Sequence, residues 1–401
     1  MKKNISDTYR QNIAVVMEYL YRTTQTSRIE ISRNTGLTPA AITSIISDLV
    51  TKKIVLETGN EINGSKGSGR KQKIIQLNKD VGYLIGIEIN MTGIFAVITD
   101  IIGTILNQVS VPNSSYDSLK INEVVTTLIR KVTNKFPKEK IFGIGIAVPG
   151  HLNDENQTIV SNNLMWQHFN LSKIKKEFPY AMNAENNIKC MALREYLFNP
   201  AQTPDKFLFF HIGPGMFCSF FQANQIGIDE NFYIGEIGHT IVDIHGPQCE
   251  CGKKGCLQTY ISSSWLLKNA RFLFEHSTNT VLQSLVQSAD QITLQTICDG
   301  YTLGDTYLSS KLDLGLKMLA TSISNTLILQ DAKKIYLNSE LLSHNNFSNQ
   351  IISSIKEQLS FIPTCRDTDI EIIPFDHFRG AQGAAALSAI SFVIRHKGYI
   401  V

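Results

Sequence analysis

The chain has 401 residues, of which 43% are hydrophobic and 18% charged, a balance typical of globular proteins with substantial cores. Its first dozen residues are polar and contain no apolar core of the signal-peptide kind. No apolar run approaches the ~18 residues that a membrane helix needs. We therefore expect a soluble, cytoplasmic protein without membrane partners.

The net charge of +3 is unevenly distributed along the chain. Residues 1–79 hold 13 Lys and Arg against 6 Asp and Glu, which gives this segment a net charge of +7. Residues 80–401 hold 25 Lys and Arg against 29 Asp and Glu, which gives a net charge of −4. A basic module joined to a mildly acidic body is typical of proteins that bind nucleic acid.

The basic module contains three helical patterns. A first helix is predicted by four apolar side chains that share one helical face: Ile13, Val16, Met17 and Leu20. Ser27 and Glu30 have the spacing of a capping box, which begins a short second helix that ends near Gly36. Thr38 is a suitable N-cap and Pro39 a suitable first residue for a third helix. The apolar stripe of that third helix consists of Ile42, Ile45, Ile46, Leu49 and Val50.

The outer face of the third helix is small and polar, and it follows a tight turn that contains glycine. Two helices joined in this way form a helix-turn-helix, whose second helix lies in the major groove of DNA. The residues predicted to contact DNA are Thr38, Pro39, Ala40, Thr43, Ser44 and Ser47. The alternative interpretation is a helical packing or dimerisation domain with a flexible linker.

Two predicted strands, "IVLETG" and "KIIQLN", follow the third helix. They flank the segment "NEINGSKGSGRK", which is rich in glycine and serine and holds the cations Lys66, Arg70 and Lys71. A basic hairpin loop of this kind contacts phosphates or the minor groove. Residues 1–79 are therefore predicted to form a winged helix-turn-helix DNA-binding domain.

Beyond residue 79 the pattern indicates an α/β body with an antiparallel start. The predicted strands lie in "YLIGIEIN", "GIFAVITD", "GTILNQVSV", "IFGIGIAVPG", "FLFFHIGPGMFCSFF" and "KKIYLN". Helical patterns lie at roughly 117–134, 186–198, 264–277, 304–330 and 380–395.

Three of the seven cysteines are clustered. Cys249, Cys251 and Cys256 fall within eight residues, and in a reducing compartment such a cluster favours a metal over disulfides. The other four are scattered and are predicted to be small buried apolar side chains: Cys190, Cys218, Cys298 and Cys365.

The segment "GEIGHTIVDIHGPQCECGKKGC" resembles the zinc signature of the ROK family (repressors, open reading frames and sugar kinases), and the resemblance extends over nearly the whole chain. It implies a structural zinc ion bound by His239, Cys249, Cys251 and Cys256, with His245 as the alternative histidine. A closed site of three thiolates and one imidazole leaves no open position for a catalytic water.

The resemblance also implies the fold. The family has a two-lobed, actin-like, sugar-kinase-like (ribonuclease H-like) α/β body, and its repressors carry a winged helix-turn-helix in front of it. Residues 80–185, with the C-terminal helix 380–395, would form the first lobe. Residues 186–379 would form the second lobe, which includes the zinc-binding segment.

Three motifs of the family's kinases are altered. The first phosphate loop, roughly Asp-x-Gly-Gly-Thr in kinases, reads "EINMT", with Asn90 and Met91 at the glycine positions. The second reads "GPGMFCS", in which Pro214 lacks an N–H donor. The catalytic Glu-Asn-Asp reads "ENN", and the amide of Asn187 cannot act as a general base. We therefore expect a protein that is not an enzyme and has no catalytic residues.

The family's sugar contacts are retained in part. By the resemblance they correspond to Asn163, Asn186, Asn187, Glu236, His239 and Gln258. Asn187 and Gln258 replace carboxylates, which would change the preferred sugar or abolish sugar binding. His239 would bind zinc with one ring nitrogen and face the sugar with the other. The alternative is a degenerate pocket with only a structural role.

These features predict a transcriptional repressor that senses a sugar (xylose, glucose or a derivative). It would bind a near-palindromic double-stranded operator as a homodimer or homotetramer. Two alternatives remain: a sugar kinase with an appended DNA-binding domain, and a regulator whose body docks a partner protein instead of a sugar.

Overall fold

The computed structural model describes residues 7–62, 72–161, 163–223, 235–361 and 368–395. The chain forms two compact units: a first unit of residues 1–203 with 377–401, and a second unit of residues 204–376. Within the described ranges, no helix has both the length and the apolar character that crossing a membrane requires.

The N-terminal part of the first unit has the predicted helix-turn-helix. It consists of α1 (Asp7–Tyr21), α2 (Arg28–Thr35), α3 (Pro39–Thr51), β1 (Val55–Ile62) and β2 (Gln72–Leu77). The capping box of Ser27 and Glu30 is present, and Gly36 ends α2 with a φ of 73°, a left-handed conformation that favours glycine. Strands β1 and β2 pair antiparallel, as a wing requires. The predicted wing cations Lys66, Arg70 and Lys71 lie outside the described residues.

The three helices pack around one apolar core. Eight of the nine side chains in the two predicted stripes are buried, namely Ile13, Val16, Met17, Leu20, Ile42, Ile45, Ile46 and Leu49, whereas Val50 is only partly buried. The periodicity of the sequence thus identified which helix faces are internal.

The body of the first unit is built on a five-stranded sheet of order β5-β4-β3-β6-β9. Its strands are β3 (Tyr83–Ile89), β4 (Gly93–Asp100), β5 (Ile105–Pro112), β6 (Ile141–Val148) and β9 (Met182–Asn186). Neighbouring strands among β3, β4 and β5 pair antiparallel, whereas β6 pairs parallel with β3 and β9 pairs parallel with β6. A short hairpin, β7 (His151–Leu152) and β8 (Ile159–Val160), follows β6.

Helices cover this sheet. They are α4 (Ile121–Thr133), α5 (Leu171–Lys175), α6 (Asn187–Phe198) and, from the C-terminal end of the chain, α13 (Arg379–Ala389), which continues as one π-helical turn (Ile390–Ile394). Helix α13 packs on β3 and β6 at very close range. A Cβ at Gly86 or Gly145 would clash with its backbone, so these two strand positions require glycine.

The second unit contains a four-stranded sheet of order β11-β10-β12-β13. Its strands are β10 (Lys206–Ile212), β11 (Met216–Gln222), β12 (Lys334–Asn338) and β13 (Asp369–Ile373). Its helices are α7 (Gln258–Ile261), α8 (Ser263–His276), α9 (Leu282–Leu285), α10 (Leu294–Thr302), α11 (Thr306–Leu329) and α12 (Asn345–Leu359). The apolar run "FLFFHIGPGMFCSFF" forms a hairpin, because Gly213 to Gly215 turn the chain between β10 and β11.

The scattered cysteines Cys190, Cys218 and Cys298 are buried, as predicted. Cys365 lies outside the described residues.

Candidate functional site

Four potential metal ligands meet between β11 and α7 in the second unit. His239, Cys249, Cys251 and Cys256 each offer one ligand atom, and these atoms all lie within 4.8 Å of one another. His239 ends a single 3-10 turn (Ile237–His239). Among the described residues the cluster includes His239 and not His245. We call residues 239–256 the metal loop.

The spacing of these atoms fits a tetrahedral metal ion. Zinc with Zn–S of about 2.3 Å and Zn–N of about 2.0 Å would place two sulfurs about 3.8 Å apart, and a sulfur and a nitrogen about 3.6 Å apart. Cys251 Sγ lies 3.6 Å from Cys256 Sγ, and Cys249 Sγ lies 3.8 Å from His239 Nδ1. The cluster could therefore hold a metal ion.

The electrostatics of the thiols also favour a cation. Burial, followed by hydrogen bonds with Cys251 and Cys249, raises the pKa of the Cys256 thiol to about 12. Burial also opposes ionisation of Cys251, but hydrogen bonds from the Lys253 backbone N–H and the other two thiols together hold the pKa of Cys251 below its ordinary value. The Cys251 and Cys256 thiols therefore differ in how readily they ionise, and a divalent cation would favour the thiolate form of both.

The surroundings of His239 also favour metal binding. Burial, and then the nearby Lys253 ammonium, lower the pKa of His239 and favour the neutral imidazole, the form that binds metals. The Lys253 Nζ atom donates a hydrogen bond of 2.8 Å to the backbone oxygen of His239.

Other side chains fix the course of the metal loop. Gln248 Nε2 donates to the backbone oxygens of Gly252 (3.0 Å), Lys253 (3.3 Å) and Cys249 (3.4 Å). Tyr260 donates its hydroxyl proton to Asp243 Oδ2 at 2.9 Å. The loop is therefore held by polar side chains as well as by the cluster itself.

Gln258 was predicted as a sugar contact, and the structure directs its amide towards the metal loop. It is 4% exposed, and its Nε2 donates to Glu250 Oε1 at 2.9 Å and to Cys249 Sγ at 3.4 Å. The sequence pattern gave no indication of this arrangement.

Asn186 was also predicted as a sugar contact, and it begins α6. Its Oδ1 accepts hydrogen bonds from the backbone N–H groups of Ile188 and Lys189, and its Nδ2 donates to Gly150 O at 2.9 Å. Asn187 follows as the first residue of the helix and is partly buried. The side chain of Asn186 therefore caps α6 and determines where the helix begins.

The remaining predicted sugar contacts are Asn163 and Glu236. Asn163 belongs to the first unit, where its Oδ1 accepts from the Met165 N–H and its Nδ2 lies 3.4 Å from Met91 Sδ. Glu236 belongs to the second unit, where its backbone oxygen accepts from the His239 N–H at 3.1 Å. Burial raises the pKa of the Glu236 carboxyl above its ordinary value.

The predicted DNA-binding residues share the solvent-exposed side of α3. All six are exposed: Thr38, Pro39, Ala40, Thr43, Ser44 and Ser47. Thr38 Oγ1 caps the helix by accepting from the Ala41 N–H at 3.3 Å. The hydroxyls of Thr43 and Ser47 donate to backbone oxygens one turn back, which leaves their oxygens able to accept hydrogen bonds from outside.

Arg28 supports this face, although sequence reasoning did not identify it. Its Nη1 donates to Thr43 O at 3.1 Å and to Ser47 Oγ at 3.4 Å, and its Nη2 lies 3.2 Å from Glu57 Oε1. Arg28 therefore connects α2, α3 and the first wing strand. The partners are 15 to 29 residues away, so local sequence patterns could not reveal them.

Helix α1 contacts the end of α6 within the first unit. Tyr196 donates its hydroxyl proton to Glu18 Oε1 at 2.7 Å. Arg22 donates to Tyr196 O at 3.2 Å and to Thr203 O at 2.9 Å, and its guanidinium lies 4.1 Å from the centre of the Tyr196 ring. A cation that binds the last carbonyls of a helix stabilises that end. We call Glu18, Arg22 and Tyr196 the α1–α6 clamp.

Comparison with known proteins identifies the family. Residues 84–390 match the sequence profile of the ROK family. The chain belongs to the ROK family. The match covers the five-stranded sheet except Tyr83, the four-stranded sheet and the metal loop.

Relatives of this ROK protein align with nearly all of the chain. It is 26% identical to the xylose repressor of Bacillus subtilis over 394 residues, which cover 96% of this chain and 95% of the relative. It is 21% identical to the DNA-binding transcriptional dual regulator NagC of Escherichia coli K12 over 388 residues, which cover 96% and 93%. The relatives named here are therefore similar in both the DNA-binding module and the body.

Solved structures show the same fold. A ROK family transcriptional regulator, described as a homologue of the E. coli MLC protein, superposes with a TM-score of 0.75 at 20% identity over 96% of this chain and 97% of that one. A ROK family glucokinase from Streptomyces griseus superposes with a TM-score of 0.66 at 21% identity over 76% and 99%. The fold is therefore shared by ROK regulators and ROK kinases.

The first altered phosphate loop of this ROK chain is closed by its own side chain. Asn90 Oδ1 accepts hydrogen bonds from the backbone N–H groups of Thr92 (2.9 Å) and Gly93 (3.1 Å) and from the Thr92 hydroxyl (2.8 Å). Backbone N–H groups are the donors with which a glycine-rich loop binds phosphate. The backbone N–H groups of Thr92 and Gly93 are therefore already bonded to the Asn90 side chain.

Polar groups of the second altered loop and of the altered catalytic motif also form hydrogen bonds within the protein. The Gly213 N–H donates to Gly215 O at 3.1 Å, and the Ser264 hydroxyl donates to Pro214 O at 2.8 Å. In the "ENN" motif, Glu185 Oε1 accepts from the Asn186 N–H at 2.7 Å. These groups stabilise local structure.

Proposed function

We propose that the protein is a sugar-responsive transcriptional repressor. The observation that carries this proposal is one chain that joins a winged helix-turn-helix, with an exposed polar face on α3, to a ROK body. Relatives named as a xylose repressor and as the regulator NagC align with almost the whole chain, which supports the same role.

DNA recognition involves α3 and the wing. The exposed side of α3 reads base edges in the major groove, with Thr43 and Ser47 held in place by Arg28. Lys66, Arg70 and Lys71 in the wing contact phosphates or the minor groove. The protein binds two-fold symmetric half-sites as a homodimer or homotetramer.

The metal in the cluster is zinc, and its role is structural. Three cysteines and one histidine complete a tetrahedral set with no open position for water. Zinc would supply folding stability to the metal loop and would fix the ring orientation of His239.

The protein is not an enzyme. Asn187 stands where the family's kinases have a catalytic carboxylate, and its amide cannot remove a proton from a sugar hydroxyl. Asn90 occupies the backbone donors of the first phosphate loop. Both features argue against the alternative of a sugar kinase with an added DNA-binding domain.

The effector is a sugar, namely xylose, glucose or a derivative, and Asn163, Asn186 and Asn187 of the first unit contribute to its binding. Helix α6 provides a route to the DNA-binding module. Asn186 caps its first turn, and Tyr196 in its last turn contacts α1 about 15 Å away along the helix axis. A sugar changes operator affinity only if it binds two states of the protein with different affinity.

The test is selection of binding sites from random double-stranded DNA by the full chain. We expect an enriched motif with two-fold symmetry, whose affinity exceeds that for scrambled DNA at fixed salt by at least about a thousandfold. A selection that enriches no motif would contradict the proposal. In parallel, sugar-dependent ADP release over hexoses and pentoses would favour the kinase instead.

A further inference from the structure

The amide of Gln258 reaches one of the sulfurs of the metal cluster. Gln258 is the first residue of α7, two residues after Cys256, and its side chain is almost completely buried. Its Nε2 is 3.4 Å from Cys249 Sγ and 2.9 Å from Glu250 Oε1. Each of the two N–H bonds therefore has its own acceptor.

The two acceptors fix the orientation of the amide. A metal-bound thiolate and a carboxylate can only accept hydrogen bonds from it, so in the metal-bound state the NH₂ end must face the metal loop and the Oε1 end must face away. Gly238 leaves room for that oxygen. A Cβ on residue 238 would lie 3.1 Å from Gln258 Oε1 and 2.9 Å from Met216 Cβ.

A donor at this position suits a metal centre rich in thiolates. Three thiolates with a divalent cation and a neutral imidazole carry a net negative charge. An N–H group that donates to one sulfur stabilises that charge, and hydrogen bonds to ionised groups are the stronger ones. A carboxylate at residue 258 would instead place a second negative charge beside the sulfur.

We propose that Gln258 is a positioning residue of the metal centre, which holds the Cys249 thiolate by an N–H···S hydrogen bond and is itself oriented by Glu250. In this chain the glutamine therefore serves the metal rather than the sugar. This inference rests on the proposed zinc site. Residues that orient metal ligands in this way typically change metal affinity 10- to 100-fold when they are replaced.

The chain offers a matched control in Gln248. It is also a glutamine that stabilises the metal loop, but its Nε2 donates to backbone oxygens. Loss of the Gln248 side chain would loosen the loop without changing a hydrogen bond to sulfur. The two variants Gln258→Ala and Gln248→Ala thus separate an effect on the thiolate from an effect on loop order.

The experiment uses the full chain, stripped of metal and titrated with Co²⁺ alone, with zinc competition to obtain affinities. Thiolate-to-cobalt charge-transfer bands report the electron density on sulfur. We expect Gln258→Ala and the nearly isosteric Gln258→Glu to shift these bands to longer wavelength and to weaken zinc binding by about 10-fold or more. Gln248→Ala should leave the band positions unchanged.

Three results would overturn the inference. If wild-type protein binds Co²⁺ and zinc but both Gln258 variants show the same bands and affinities, Gln258 does not act on the metal. If Gln248→Ala shifts the bands equally, the shift is caused by a less ordered metal loop and not by loss of the hydrogen bond to sulfur. If wild-type protein binds neither metal, the zinc proposal itself fails, and this inference fails with it.

Discussion

Tyr196 donates a hydrogen bond of 2.7 Å to Glu18 across 178 residues of sequence. The contact joins the last turn of α6 to the first helix of the DNA-binding module. Arg22 adds hydrogen bonds to the backbone oxygens of Tyr196 and Thr203. The module is therefore attached to the body by specific side chains and not by chain connectivity alone.

Tyr196→Phe removes only the hydroxyl from this clamp. A hydrogen bond to a charged acceptor contributes about 1.5–3 kcal/mol, so we expect a loss near the lower end of that range in the free energy of unfolding. Because α3 is untouched, operator affinity without sugar should stay within about twofold, whereas the effect of sugar on that affinity should decrease. Urea denaturation and fluorescence anisotropy measure these quantities.

The control for the clamp is Tyr301→Phe. Tyr301 donates its hydroxyl proton to Asp313 Oδ1 at 3.0 Å in the second unit, so the same chemical change is made outside the clamp. This variant should keep the full response to sugar. Equal responses in Tyr196→Phe and wild type would show that the clamp does not transmit the signal.

Cys251→Ser tests the metal cluster. Loss of one of four ligands should reduce bound zinc to well below one equivalent and lower the melting temperature, because metal binding contributes directly to loop stability. Elemental analysis and thermal denaturation provide the two measurements. Cys298→Ser changes a buried cysteine outside the cluster and should retain the metal. A Cys251→Ser protein with full metal content would argue against this ligand set.

Ser44→Glu tests the DNA-binding face. The side chain is exposed on α3, so a carboxylate there should leave the fold intact and repel the phosphate backbone, with operator affinity reduced at least about tenfold. Ser353→Glu places the same charge on an exposed position of α12 and should have little effect. Similar operator affinities for the two variants, measured by anisotropy at one salt concentration, would remove α3 from the interface.

His211 should make stability depend on pH. Its Nδ1 lies 3.0 Å from Asn338 Nδ2, and burial lowers the pKa of His211 to about 4, compared with about 6.5 in an unfolded chain. The unfolded state therefore binds a proton in this window that the folded state does not. The contribution of neutral His211 to the free energy of unfolding is fully present above pH 6.5. It should decrease as the pH falls towards 4, by up to about 1.4 kcal/mol per pH unit.

The comparison with His211→Gln isolates this contribution, because glutamine does not titrate. Urea midpoints at pH 7, 6 and 5 should fall less steeply for the variant than for wild type. Parallel pH dependences in the two proteins would show that His211 titrates normally in the folded state.

The elements that rest on local chemistry could be predicted from the sequence. The caps at Ser27 and Thr38 and the apolar stripes defined the helix-turn-helix, and the cysteine spacing indicated the metal cluster. In the body, the predicted helix at 186–198 corresponds to α6 (Asn187–Phe198). Each of these features depends on residues that are close together in sequence.

Features that depend on tertiary contacts were missed. The direction of the Gln258 amide is decided by Glu250 and Cys249 once the metal loop has folded, and the resemblance alone suggested a sugar contact. Helix α12 and strand β13 were not predicted, since their apolar residues mark a buried face only when the second unit is complete. Arg28 has no local partner that could have indicated its role.

We predict that a sugar controls sequence-specific DNA binding by this chain. The most direct measurement is fluorescence anisotropy of a labelled DNA fragment from upstream of the protein's own coding region, at fixed salt with unlabelled competitor. The titration is repeated with xylose, glucose, N-acetylglucosamine and their phosphates. We predict specific binding whose affinity one of these sugars changes at least fivefold. Specific binding that is indifferent to every sugar would contradict the claim and would favour control by a partner protein.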